Sequence, residues 1–236
     1  MDLLTWLFEA RIDFGDDQHI LWREIIGNLF GLASAVGGMR RKVWAWPIGI
    51  VGNVLLFTVF MGAVFDNPQQ QENLLGQAGR QVMFVAVSVY GWHRWYTARR
   101  GAARSAAVSP RWATWPERLG YLAVGAVLVA VLTPIFDALD SFDPVWADAW
   151  IFTGSLLATY GMAKGWVDFW LIWVAVDVVG VPLLWDARLY PSAILYAIYG
   201  AFVVWGFAVW LKVSRGSVDA AVPADTAAAG EPVQPA

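Results

Sequence analysis

Residues 170–177 read WLIWVAVD. Two tryptophans and a carboxylate stand inside a run that is otherwise hydrocarbon, and what surrounds them decides the fold. The run extends from Trp166 to Trp185, close to the ~20 residues that an α-helix needs to cross a ~30 Å bilayer core. Six further apolar runs accompany it: Ile20–Met39, Val43–Phe65, Leu74–Trp95, Leu119–Phe136, Trp146–Met162 and Tyr190–Val213. Backbone groups in lipid must be paired within their own segment, so these runs are predicted as helices. The alternation of polar and apolar residues that marks barrel strands is missing. The predicted class is an all-α integral membrane protein with seven transmembrane helices.

Composition agrees. Of 236 residues, 58% are hydrophobic and only 15% charged, with a net charge of -3; the mean hydropathy is +0.51. A soluble domain carries about a quarter charged residues. Sixteen tryptophans suit membrane interfaces and sites that hold flat rings. Cysteine is absent, which excludes disulfides, thiolate metal sites and a Cys nucleophile. The two histidines, His19 and His93, are far apart in sequence, so no metal centre is predicted. There is no Gly-Lys-Ser/Thr phosphate loop, no HExxH and no GxSxG. Neither catalysis nor a cofactor is expected.

The first residues, MDLLTWLFEARIDFGDD, lack the basic region and cleavage site of a signal peptide. Residues 1–19 are read as an N-terminal interfacial segment, with Leu3, Leu4, Trp6, Leu7 and Phe8 in a short helix on the membrane surface. With the N-terminus outside, the cytoplasmic loops receive Arg40, Arg41, Lys42, Arg94, Arg99, Arg100, Arg104, Arg111, Arg118, Lys164, Lys212 and Arg215. Arg11, Arg23, Arg80 and Arg188 remain outside, and the outer loop DALDSFDPVWAD carries four acids. Basic residues favour the cytoplasmic side, so the orientation is N-out and C-in. Residues 214–236, rich in Ala, Pro and Gly, are expected to be a disordered cytoplasmic tail. The basic 94–118 loop is read as touching anionic lipid heads rather than nucleic acid.

Residues 22–53 resemble residues 146–177 at a constant offset of 124: Trp22 meets Trp146, Gly37 meets Gly161, Trp46 meets Trp170 and Asn53 meets Asp177. Farther on the offset is 115: Gly91 meets Gly206, Trp95 meets Trp210, Gln81 faces Tyr196 and Phe84 faces Tyr199. The first three spans thus resemble the last three, with one unmatched span between. That is a parallel repeat in a 3+1+3 plan, with repeat one at 20–95, the linker helix at 119–136 and repeat two at 146–213.

At about 1.5 Å per residue, Asp177 lies ~16 Å beyond Trp166 and Asn53 ~15 Å beyond Val43, both near mid-membrane. Gln81, Tyr196 and Tyr199 fall at the same depth. Trp170, Trp173 and Asp177, at i, i+3 and i+7, share one helix face. A carboxylate at the centre of a span costs roughly 2.5–3.5 kcal/mol on insertion scales, so it faces inward. Asp177 then serves either as a structural hydrogen-bond partner, for example to Asn53, or as part of a site; a proton relay is a third use. An aromatic pair beside a polar group favours a site for a flat heteroaromatic ligand. Pro47 and Pro182 are read equally as hinges or as tolerated kinks.

The stretches RRKVWAWPIGIVGN (40–53), GRQVMFVAVSVYGWHRW (79–95), FWLIWVAVDVVGVPLL (169–184) and LYPSAILYAIYGAFVVWGFAVW (189–210) resemble the PnuC family of vitamin-precursor transporters. The resemblance spans Trp22 to Trp210 and rests on Trp-Pro-x-Gly, Gln-x8-Tyr-Gly-Trp and Trp-x2-Trp-x3-Asp in that order. It implies a SWEET-like seven-helix fold assembled as a homo-trimer in the bacterial inner membrane. It implies facilitated uptake of a small-molecule vitamin precursor, most often nicotinamide riboside, trapped by a cytoplasmic kinase. It carries over Gln81, Trp170, Trp173, Asp177, Tyr196 and Tyr199 as substrate-facing, together with Asn53 and Trp46. The wording WREIIGN…GGMRRKVWAWPIGIVGN is also close to the riboflavin-carrying, RibM-like branch, and some members carry thiamine. A non-transporting membrane subunit is the reading from another class.

Overall fold

The computed structural model describes residues 10–13, 19–65, 75–100, 107–139, 144–186 and 190–219. Among the described residues there are seven helices: α1 (Trp22–Met39), α2 (Ala45–Phe60), α3 (Leu75–Arg100), α4 (Trp115–Asp137), α5 (Val145–Lys164), α6 (Phe169–Asp186) and α7 (Tyr190–Asp219). A short antiparallel pair precedes them, β1 (Arg11–Asp13) and β2 (His19–Leu21), in the register Arg11↔Leu21. Strands of three residues are too short for an alternating pattern to register in sequence, and none was expected. The predicted interfacial helix around Leu3–Phe8 lies outside the described residues. At the other end α7 runs to Asp219, past the predicted start of the tail at Ser214.

The turns that end α1 and α5 are built alike. Lys42 N donates to Gly37 O at 2.9 Å, and Trp166 N donates to Gly161 O at 3.0 Å. These six-to-one bonds close Schellman-type helix ends, which need a left-handed residue. Arg41 supplies it at φ 55°, and Gly165 at φ 78°. A Cβ on Gly165 would also overlap the Val108 side chain. Arg41 and Gly165 are 124 residues apart, the offset at which residues 22–53 resemble residues 146–177. The next helices start alike too: Trp46 N reaches Val43 O and Trp170 N reaches Val167 O. Pro47 falls in the first turn of α2, where its missing N–H costs nothing. It is a helix-start residue, neither a hinge nor a kink. Pro182 does sit inside α6.

Packing follows the chain: α1 against α2, α2 against α3, α5 against α6, and α6 against α7. The two triplets join where α3 packs on α5 and where α1 meets α7; α4 lies against α5. Thr114 and Glu117 close a capping box at the start of α4. Arg111 braces it with two bonds to Glu117 at 2.8 and 2.6 Å, and these bonds raise the Arg111 pKa. Beyond that turn α4 turns its apolar residues outward, with Leu119 63% and Leu122 71% exposed. Among the described residues, Trp115–Asp137 and Ala197–Gly216 are long and apolar enough to cross a membrane. An apolar face of this extent on α4 is at home in lipid or under another subunit, not in water.

The core is aromatic and lies at the end of the bundle that carries the basic residues 40–42, 111, 118 and 164. Met39, Val43, Trp46, Trp95, Ala163, Val167, Phe169, Trp170, Val203 and Trp210 form one buried cluster. Nearer the opposite end, Arg80 on α3 bonds Asp148 on α5 at 2.6 Å, with both side chains about nine-tenths buried. Removing one partner of a buried pair typically costs about 3–5 kcal/mol, whereas apolar replacement of both is close to neutral. Asp148→Ala is therefore expected to lower the melting temperature sharply in detergent. The double variant Arg80→Leu/Asp148→Leu should recover most of the loss; a melt for Asp148→Ala equal to the parent's would show that the pair does not join the two triplets.

Candidate substrate site

The inner face of α3 carries Gln81, Phe84, Ser88, Gly91 and Trp95 at helical spacing. Gln81, Ser88, Gly91 and Trp95 are buried on it. The facing side of α6 carries Trp170, Trp173 and Asp177. Phe84 and Trp173 come from opposite triplets and meet with ring planes 23° apart and centroids separated by 6.5 Å. Phe84 was not among the expected site residues. Its position three residues after Gln81, on the same face, was the available signal.

Trp46 and Trp170 sit lower, about 10 Å toward the basic end from Asn53 and Asp177, from seven residues at the helical rise. Both are almost fully buried, at 3% and 4% exposed. Trp46 packs edge-on to Trp95 at 5.2 Å, and Trp170 edge-on to Trp210 at 6.2 Å. Trp95 and Trp210 face each other at 6.5 Å. Each outer indole occupies a glycine notch: a Cβ on Gly91 would strike the Trp46 ring, and one on Gly206 the Trp170 ring. Four tryptophans, two from each triplet, thus floor the site at the basic end.

Above this floor polar atoms lack partners. Gln81 Oε1, Asp177 Oδ2, Trp46 Nε1 and Trp170 Nε1 are buried without a hydrogen bond. Unsatisfied buried polar groups cost about 1–3 kcal/mol each and are rare unless they serve a ligand or water. Asp177 lies beside Gly200, where a Cβ would stand 3.3 Å from its Oδ2. The expected structural bond to Asn53 is not made by Asp177 Oδ2, which has no partner. Asn53 and Tyr199 are half-buried. The side chain of Tyr196 lies outside the described residues. An open depression of about 770 Å³ exists elsewhere, lined by Trp112, Ala113, Thr114, Trp115, Arg118, Asp168 and Leu171. It includes none of the expected site residues and is shallow.

A seven-helix bundle with rings and unpaired polar atoms gathered between its halves has the form of a membrane carrier of small molecules. The comparisons with known proteins agree. Residues 21–212 match the family model described as nicotinamide mononucleotide transporter. The riboflavin/roseoflavin transporter RibM of Streptomyces davaonensis is 41% identical over 90% of this chain and 94% of its own length. The nicotinamide riboside transporter PnuC of Escherichia coli is 27% identical over 82% and 87%. The crystal structure of the vitamin B3 transporter PnuC superposes with a TM-score of 0.62 at 18% identity, covering 90% of this chain and 86% of that one. The chain belongs to the nicotinamide mononucleotide transporter family. It is a membrane-embedded vitamin transporter and not an enzyme.

The unpaired Gln81 oxygen makes a discriminating test. Gln81→Leu removes a buried unsatisfied acceptor, so the empty protein should melt no lower than the parent and up to ~1–3 kcal/mol more stable. The same variant should lose the rise in melting temperature that a bound vitamin gives. A large loss of stability without ligand would make Gln81 a structural residue.

Proposed function

We propose that this protein carries riboflavin, or a close flavin relative, across the bacterial inner membrane by facilitated diffusion. The observation that carries this reading is the 41% identity to a riboflavin/roseoflavin transporter over nearly the full length of both chains. The nicotinamide riboside transporter stands at 27%, so the sequence-based preference for nicotinamide riboside gives way. A cytoplasmic kinase that phosphorylates the vitamin would trap it inside.

Phe84 and Trp173 would bracket a flat ring. The two rings lie 23° from parallel with centroids 6.5 Å apart. Gln81, Asp177, Asn53, Tyr196 and Tyr199 would take the hydroxyls of a neutral polyol chain. Trp46 and Trp170 would offer indole N–H groups from below. We read the fold as a SWEET-like 3+1+3 parallel repeat. The matched helix ends at Arg41 and Gly165 support it. So does a reciprocal pair: Trp95 Nε1 donates to Ala163 O, and Trp210 Nε1 to Met39 O. Both members of each pair are related by the repeat offsets. The basic loops at one end support an N-out, C-in orientation, and the uncovered face of α4 supports a homo-trimer.

Purified protein should melt later with riboflavin, by ~2.7 kcal/mol of added stability at a hundredfold excess over Kd. Vesicles containing it should take up riboflavin down its gradient after the proton gradient is collapsed. Trp173→Ala should cut apparent affinity about tenfold or more while the protein still inserts, since lost ring contacts cost about 0.5–1.5 kcal/mol beyond their buried area. Uptake of nicotinamide riboside and not riboflavin would reverse the assignment within the family. No response to either, or to thiamine, would favour a subunit that does not transport.

A further inference from the structure

Between α3 and α4 the chain crosses the basic end of the bundle, and residues 107–113 tie both triplets together there. Ala107 N donates to Arg41 O at 3.0 Å, and Arg111 N donates to Gly165 O at 3.0 Å. Those two carbonyls belong to the matched left-handed residues that end α1 and α5. The segment therefore grips equivalent points of the two triplets. Ala107 is buried within the aromatic cluster of Trp46, Trp95, Trp170 and Trp210, and Val108 packs against it.

The two grips differ. On the second triplet Val167 N donates back to Arg111 O at 2.8 Å, completing a bridge between Arg111 and Trp166. Asp168 then accepts from Ala113 N and from Arg118 Nε, each at 2.7 Å. On the first triplet the Ala107 bond is joined by Arg41 Nη1 to Val108 O at 3.5 Å, at the limit of a hydrogen bond. Arg41 and Gly165 each stand two residues past the carbonyls of Met39 and Ala163, which hold the crossed indoles. A motion that carried the Met39 and Ala163 carbonyls apart would also part Arg41 from Gly165. A segment held at both points cannot follow both.

We propose that residues 107–113 form a clasp across the basic mouth, which stays with the second triplet and releases Arg41 when that mouth opens. It rests on the reading of the chain as a carrier. The clasp would hold the mouth shut in the form described and set how often it opens.

The natural absence of cysteine allows a direct test. The pair Arg41→Cys/Ala107→Cys locks the clasp to the first triplet, and Arg111→Cys/Trp166→Cys locks it to the second. Residues bonded through their backbones are within reach of a disulfide or a short bifunctional thiol reagent. Riboflavin uptake is measured in vesicles before linking, after linking and after reduction. The first pair should lose at least tenfold of its uptake on linking and regain it on reduction; the second should keep its uptake within twofold. Undiminished uptake by the linked first pair overturns the clasp, as does equal inhibition by both pairs.

If the parent takes up no substrate, the carrier reading fails, and the clasp is judged by labelling instead. Gln81→Cys should react with a water-soluble maleimide applied from the basic side severalfold faster when Ala107→Pro removes the donated N–H. Equal labelling rates with and without Ala107→Pro overturn the clasp independently of any substrate.

Discussion

The bundle depends on two indole N–H groups that cross between its halves. Trp95 on α3 donates to the Ala163 carbonyl at the end of α5, and Trp210 on α7 to the Met39 carbonyl at the end of α1. The last carbonyls of a helix have no partner within it. In a dry interior each such group, and each indole N–H, costs several kcal/mol if left alone. Pairing one deficiency with the other removes both costs. It also fixes which helix of one triplet faces which helix of the other, because an indole reaches only a few ångströms from its own backbone.

Other features follow from placing these tryptophans at one level. Within each triplet one ring, Trp46 or Trp170, must pass close to the backbone of the neighbouring helix. Gly91 and Gly206 make that possible, since a methyl at either would overlap a ring. At this level and above it, Gln81, Asp177, Trp46 and Trp170 each retain a buried polar atom without a partner. Away from the tryptophans, Arg80 and Asp148 supply a directional contact between α3 and α5 where small residues alone would leave the helices free to slide.

Much of this was legible in the sequence, for physical reasons. Spans are long and apolar, so helix number followed from hydrocarbon thickness alone. Asp177 was visible because a carboxylate in lipid is costly wherever it points. The likeness of residues 22–53 to residues 146–177 was drawn from glycine and tryptophan positions, which close packing constrains. Phe84 was missed although it shares a face with Gln81, because an apolar ring in an apolar helix passes for packing until its partner, Trp173, is seen. The ion pair was hidden for a related reason: Arg80 and Asp148 lie near span ends, where charge is ordinary, and only packing shows them to be buried. The floor role of Trp46 and Trp170 was hidden because seven residues along a helix preserve the face but change the depth. The strand pair before α1 was below the length at which periodicity can speak.

One asymmetry remains between the halves. The helix ends at Arg41 and Gly165 share geometry, yet one is an arginine held in a left-handed conformation and the other a glycine. A left-handed arginine is less favourable than glycine by roughly 1 kcal/mol. The guanidinium reaches toward Val108 O at 3.5 Å, too long to repay that cost by itself. Gly165 has no such freedom of choice, because a side chain there would collide with Val108. The segment that crosses the basic end thus presses closely on the second triplet and only lightly on the first. The strain is stored on the side where the contact is weakest. If the mouth opens as proposed, this difference in grip would make the Arg41 side the one that yields.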